Sequence, residues 1–134
     1  MSPSKGPSRR HSRTVAFKFL YGNLELNFER TAFEQFCKSF EFEFDEFAWD
    51  ICEGVRNNLP ALDSTIASMS TNWKIERIAR VDLTVLRLSA YEILFRSDIP
   101  KNVSINEAVE LVKEYGEKDS PSFINGLLDK LNKA

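Results

Sequence analysis

The stretch from Ile75 to Phe95 sets the strongest limit on the fold, because apolar residues occupy nearly every side of the helix that it predicts. These residues are Ile78, Ala79, Val81, Leu83, Val85, Leu86, Leu88, Ala90, Ile93 and Leu94. A helix that is hydrophobic all round is stable only when other elements enclose it. We therefore expect a buried central helix, surrounded by the rest of a 134-residue chain that is long enough for about one domain.

Helical patterns also dominate the remaining sequence, and several predicted boundaries carry a capping signal. Asp45 is a suitable N-cap, Ser104 and Glu107 form a capping-box pattern, Gly116 is a typical C-cap, and Ser120 before Pro121 is typical of a helix start. The seven predicted helices cover about 9–26, 30–40, 45–58, 60–70, 75–95, 104–116 and the stretch from Ser120 onward. With no convincing strand, the fold class is all-α.

Residues 28–47 contain seven of the eleven phenylalanines, and their spacing is ambiguous. The run Phe40-Glu41-Phe42-Glu43-Phe44 alternates like a strand, whereas Phe33, Phe36 and Phe40 share one helix face. A lone five-residue strand would have no partner in a helical chain. We therefore predict a short helix at 30–40 followed by a loop.

Charge is divided unevenly along the chain. Residues 1–24 carry five Lys and Arg side chains and no acid, while the other 110 residues hold 13 basic and 20 acidic side chains. A basic arm on an acidic body is typical of a segment that contacts phosphate, although a solvated tail has the same composition. Residues 1–8, rich in Ser, Pro and Gly, are predicted to be disordered.

The sequence lacks the usual signatures of an enzyme, a metal site or a membrane protein. His11 is the single histidine, and no Gly-rich phosphate loop or HExxH motif occurs. Cys37 and Cys52 are too few for a disulfide framework, and no apolar run reaches membrane length. Gly126 within a predicted helix indicates either close helix packing or a nearby ligand. We expect a reduced, cytoplasmic, non-enzymatic protein without a cofactor.

Several blocks, in order along the chain, resemble the NusB family of bacterial transcription antitermination factors. They are Arg9 to Tyr21, Gly54-Val55 with Asn58 and Leu62-Asp63, Val81-Asp82 with Val85 to Leu88 and Ala90 to Glu92, Ser97 to Pro100 with Val103 to Leu111, and Asp119-Ser120 with Phe123 to Asp129. The resemblance covers about 9–132 but not the phenylalanine-rich segment, and it depends chiefly on the last two blocks.

The resemblance implies an all-helical protein with an N-terminal subdomain (about 9–59) and a C-terminal one (about 60–134). Family members bind the boxA element of nascent RNA as a single strand, together with NusE, a small-subunit ribosomal protein. The complex helps RNA polymerase read through termination signals, notably in ribosomal RNA operons, and no catalytic activity is implied.

The resemblance also assigns residues. The RNA-binding positions that it implies are Arg9, Arg10, Arg13, Tyr21, Asp119 and Phe123. Lys18 stands where the family usually has glutamine, and contact of this cation with RNA is compatible with that change. Asp82 matches an acidic position that holds NusE. Arginines and exposed aromatics suit these roles, because they bind phosphate and stack on unpaired bases.

Two other functions are compatible with the sequence. A NusB-like domain also accompanies RNA cytosine methyltransferases, and the end of this chain at Ala134 favours the stand-alone factor. The phenylalanine-rich segment could instead close the interface of a homodimeric scaffold.

Overall fold

The structure, a computed structural model, describes residues 6–23, 25–70 and 74–133. In these ranges the chain forms seven α-helices and no strand, which confirms the all-α prediction. The helices are α1 (Arg9–Gly22), α2 (Arg30–Ser39), α3 (Glu46–Asn57), α4 (Leu59–Met69), α5 (Arg80–Phe95), α6 (Lys101–Tyr115) and α7 (Ser120–Asp129). Across the same residues, none of them is long and apolar enough to cross a membrane.

Helix α5 is the central element, as its apolar sequence predicts. It packs against α1, α3, α4, α6 and α7, and Val85, Leu86 and Ile93 on it are completely buried. One continuous hydrophobic core includes residues of both halves of the chain. The division into subdomains near residue 59 stays a prediction.

Two helix boundaries near α1 and α5 differ from the prediction. Helix α1 ends at Gly22 instead of continuing to about residue 26, because the Asn23 amide group donates to the carbonyl of Phe19 and closes the last turn. Leu24, within the predicted range of the first helix, lies outside the described residues, as do residues 1–5 of the predicted disordered arm. Ile75 belongs to a separate 3-10 turn (Ile75–Arg77), and α5 starts at Arg80.

The capping prediction for α6 was wrong, and the one for α7 was displaced by one residue. Helix α6 starts at Lys101 after Pro100, so Ser104 lies inside it and donates instead to the buried carboxylate of Glu92, at 3.0 Å. Ser120 is the first residue of α7, and its hydroxyl accepts from the backbone N–H of Glu117. Asp119 takes the N-cap position.

The phenylalanine-rich segment folds as the helix-and-loop prediction requires. Asp45 caps α3, since its carboxylate accepts from the backbone N–H groups of Phe47 and Ala48. In front of it, the rings of Phe28, Phe33 and Phe36 surround one ring of α1. Each of the three meets the Phe19 ring edge to face, with centroids 4.9 to 5.3 Å apart. Much of the aromatic content therefore seals α2 against α1.

Candidate nucleic-acid interface

Helix α1 presents the exposed cations that the sequence indicated. Arg9, Arg10 and Lys18 are exposed, and the first turn contains no acid. Cations at a helix N-terminus oppose the helix dipole and cost up to about 1 kcal/mol each. This local cost favours a role for the arginines outside the helix.

The two exposed arginines are held only weakly by acids of other segments. Arg10 Nε lies 3.0 Å from Glu107 Oε2, although 67% of the Arg10 side chain remains exposed. Arg9 reaches Asp98 at 3.5 Å and lies over the Phe47 ring, 4.4 Å from its centroid. Exposed ion pairs contribute about 0–1 kcal/mol, so both guanidinium groups can exchange a carboxylate for a phosphate at low cost.

Arg13 lies on the same helix, but its side chain is buried in the protein interior. The Nε and Nη2 atoms of Arg13 lie 2.7 and 2.8 Å from the two carboxylate oxygens of Glu92. Ser104 adds a third hydrogen bond to that carboxylate, so α1, α5 and α6 meet at one buried ion pair. In this arrangement the Arg13 guanidinium faces the protein interior and not the predicted RNA surface.

Aromatic rings follow the cations along α1. Phe17 lies between Tyr21 and Tyr115 of α6, with ring centroids 5.9 and 5.1 Å away. The Lys18 ammonium is 5.9 Å from the centroid of Tyr115. Phe17 is buried and supports Tyr21, which is 37% exposed. An accessible ring beside exposed cations suits a single-stranded nucleic acid, which offers both bases and phosphates.

Arg80, which the sequence reasoning did not single out, covers one face of Tyr21. Its guanidinium lies 4.4 Å from the ring centroid and donates to the Tyr21 carbonyl at the end of α1. The available signal was an arginine at the start of α5, where the helix dipole disfavours it. The contact joins the α1 surface to the start of the central helix.

Asp82, Asp119 and Phe123 line one depression, although the resemblance gave them to different partners. The depression has a volume of about 260 Å³ and lies between the starts of α5 and α7. Phe123 is half-buried and Asp119 exposed, whereas Asp82 is only 7% exposed. Burial raises the pKa of the Asp82 carboxyl, while a hydrogen bond from Ser120 partly offsets that effect. Its Oδ1 atom has no hydrogen-bond partner among the described residues.

For Arg87 and Gly126, the structure shows whether the residue has a role in packing and stability. Arg87 makes a two-pronged ion pair with Asp63, both contacts 2.9 Å, as expected of a structural arginine. Gly126 is exposed, and a Cβ atom there would meet nothing within 4 Å, so the helix-packing explanation for it was wrong. In the part of the chain that the structure describes, no group of three or more His, Cys, Asp or Glu side chains could hold a metal ion.

Comparison with known proteins gives consistent matches. The sequence model of the NusB family matches residues 10–133. The transcription antitermination protein NusB of Desulfovibrio desulfuricans is 41% identical over 150 aligned positions, covering 100% of this chain and 90% of that protein. The NusB protein of Oleidesulfovibrio alaskensis is 43% identical over 139 positions, covering 95% and 88%.

Solved structures agree with these matches. NusB from T. maritima has a TM-score of 0.79 at 32% identity, and the alignment covers 94% of this chain and 91% of that one. A structure of the antitermination factors NusB and NusE in complex with dsRNA has a TM-score of 0.77 at 25% identity, covering 90% and 92%.

Proposed function

Because this chain belongs to the NusB family, we propose that it is a transcription antitermination factor that binds boxA-type single-stranded RNA together with NusE. In that role it promotes readthrough by RNA polymerase, notably of ribosomal RNA operons. The observation that carries the proposal is the group of exposed cations on α1 (Arg9, Arg10 and Lys18) together with the exposed ring of Tyr21 at the end of the same helix.

The RNA-binding face that we propose has two parts. Arg9, Arg10 and Lys18 provide phosphate contacts, and Tyr21 provides a ring on which a base can stack, with Arg80 supporting its other face. Arg13 is a positioning residue, because its ion pair with Glu92 fixes α1 against the core.

The depression between α5 and α7 completes the proposed surface. Phe123 offers a half-exposed ring there, and the Asp119 carboxylate can accept hydrogen bonds from base amino groups. The unpartnered Oδ1 of Asp82 supports the assignment of this residue to NusE, since a donor from the partner would satisfy a buried acceptor.

We further propose that the protein acts in the cytoplasm by binding alone, without catalysis or a cofactor. The groups gathered on its surface are those that hold phosphate and bases. We therefore expect the protein to act by stabilising a complex with RNA and NusE, and not by converting a substrate.

Titration of labelled boxA RNA with the full chain, with and without NusE, tests the proposal. We expect NusE to tighten RNA binding, and we expect affinity to fall with salt at a log–log slope of about −0.7 for each phosphate contacted. The double variant Arg9→Ala, Arg10→Ala should flatten that slope by about 1.4. The matched control is Arg30→Ala, which removes an exposed, ion-paired arginine from α2 and should leave the slope unchanged. An unchanged slope in the double variant, or no effect of NusE, would contradict the proposal.

A further inference from the structure

The loop after α2 carries aromatic surface that the proposed function does not use. The Phe40 side chain is 63% exposed, the most open of the large hydrophobic residues that the structure describes. Its ring lies 6.3 Å from the half-buried ring of Phe42, at an interplanar angle of 25°, and Phe36 supports both from behind, with centroids 4.9 and 6.0 Å away. A single exposed apolar residue is ordinary on a protein surface, but a contiguous group of rings is typical of an interaction site. Phe40 belongs to such a group of three.

Backbone contacts hold the two outer rings in place. The backbone N–H of Phe40 donates to the carbonyl of Phe36 at 3.1 Å, and the backbone N–H of Phe42 donates to the carbonyl of Cys37 at 2.8 Å. Glu41 between them has a left-handed backbone with φ of 58°, which non-glycine residues seldom adopt. The rings therefore form a preorganised surface, which we term the phenylalanine platform (Phe40 and Phe42).

The phenylalanine platform is continuous with the cations of α1. The Lys18 ammonium lies 5.6 Å from the Phe42 centroid, while its distance to the Tyr115 ring on the other side is 5.9 Å. The His11 ring, two turns earlier on α1, meets Phe42 edge to face at 5.8 Å. Lys18 thus lies between the platform and Tyr115, whose ring packs on Phe17.

We propose that the phenylalanine platform is a second RNA subsite, on which bases that flank the boxA element stack. Stacking on a flat ring needs no particular base edge, so the subsite would accept single-stranded RNA of any sequence. The inference rests on the proposed function, because it extends the same RNA path beyond Lys18.

The charges around the platform favour RNA over a second copy of this chain. Glu41 and Glu43 are exposed beside the rings. A symmetric contact between two copies would bring the same glutamates together, and like charges across an interface are unfavourable. The two glutamates repel phosphate as well, so RNA fits when its base faces lie on the rings and its phosphates lie toward Lys18, away from Glu41 and Glu43.

The experiment compares RNAs of two lengths on the full chain with NusE. The probes are a fluorescein-labelled boxA oligonucleotide and the same RNA extended by four adenines at its 5′ or 3′ end. We expect one extended RNA to bind about tenfold tighter than boxA alone, which is the lower part of the range for one or two stacked bases. Phe40→Ala should abolish this gain and leave the Kd for boxA alone within twofold, while Phe40→Trp should keep it.

Phe95→Ala is the matched control, because Phe95 is also exposed, at 46%, and stacks on a neighbouring ring at the end of α5. It should keep the gain. An extension that adds no affinity, or a gain that survives in Phe40→Ala, would overturn the subsite. So would conversion of a dimer to a monomer by Phe40→Ala in sedimentation, with RNA binding unchanged.

The two proposals fail separately. Affinity for boxA alone reports on the proposed function, and the difference between the two lengths reports on the platform. If boxA alone does not bind, a ten-residue oligoadenylate tests the platform: binding that requires Phe40 supports it, and absence of such binding overturns it.

Discussion

Replacing Arg13 separates the structural from the RNA-binding explanation of a motif that contains both kinds of arginine. Arg13→Met removes the cation but keeps most of the apolar stem. Among the described residues, it leaves the buried Glu92 carboxylate with the Ser104 hydroxyl as its remaining hydrogen-bond partner. Both side chains of the ion pair are at most 4% exposed, so water cannot replace the lost guanidinium. We expect this variant to unfold far more easily than the wild type.

The magnitude follows from the burial. Removing one partner of a buried ion pair costs about 3–5 kcal/mol. With a urea m-value of about 2 kcal/mol/M for a chain of this size, the unfolding midpoint should fall by about 1.5–2.5 M. Replacing both partners, Arg13→Met with Glu92→Leu, should restore more than half of the loss, because it leaves no unpaired charge. The assay is urea unfolding followed by circular dichroism at 222 nm.

The matched control is Arg10→Met, one turn earlier on the same helix. The Arg10 side chain is 67% exposed although Glu107 is only 17% exposed, so water can replace the cation. We therefore expect a stability loss of about 1 kcal/mol or less but a clear loss of RNA affinity. The reasoning would be refuted if Arg13→Met lost less than about 1 kcal/mol of stability while its RNA affinity fell tenfold. Arg13 would then be an RNA contact after all.

Three more substitutions test other parts of the surface. Phe123→Ala should cost about tenfold in boxA affinity but only about 1–2 kcal/mol in stability, because its ring is half-buried; a loss above about 3 kcal/mol in urea unfolding would place it in the core. Burial raises the pKa of Asp82, so folding favours its protonated form. Wild-type stability should therefore fall relative to that of Asp82→Asn as pH rises above about 4. A difference in urea midpoint between the two proteins that is the same at pH 4 and at pH 7 would contradict this. Gly126→Ala should raise stability by about 0.5–1 kcal/mol, since the added methyl group meets open space on a helix, and a lower urea midpoint would show that the site is not open.

Patterns within single helices were predicted well, because their causes are local. The apolar character of α5, the Asp45 cap and the C-cap at Gly116 each depend on residues within a few positions of one another. The short helix at 30–40 was predicted for the same reason, once the isolated strand was rejected.

Predictions that depended on tertiary neighbours failed or stayed incomplete. Arg10 and Arg13 lie on one side of α1, as helical spacing requires, yet Glu92 of α5 and Ser104 of α6 enclose only the second. The spacing of Ser104 and Glu107 matched a capping box, but Glu107 pairs with Arg10 instead. A buried glutamate in an apolar helix was the one local sign of such a partner, because a buried carboxylate requires a cation or several donors.

The buried ion pair also determines when, during synthesis, the RNA-binding face can form. Arg13 and Glu92 are 79 positions apart in the chain, and the contact of Arg10 with Glu107 spans 97. At about 5–20 residues per second, a ribosome needs about 4–16 s to add Glu92 after it has added Arg13. Helix α1 therefore leaves the ribosome first but reaches its final position late, after α5 and α6 have emerged. A nascent chain arrested before residue 92 should accordingly bind boxA RNA only through unfixed basic residues, with little preference for its sequence.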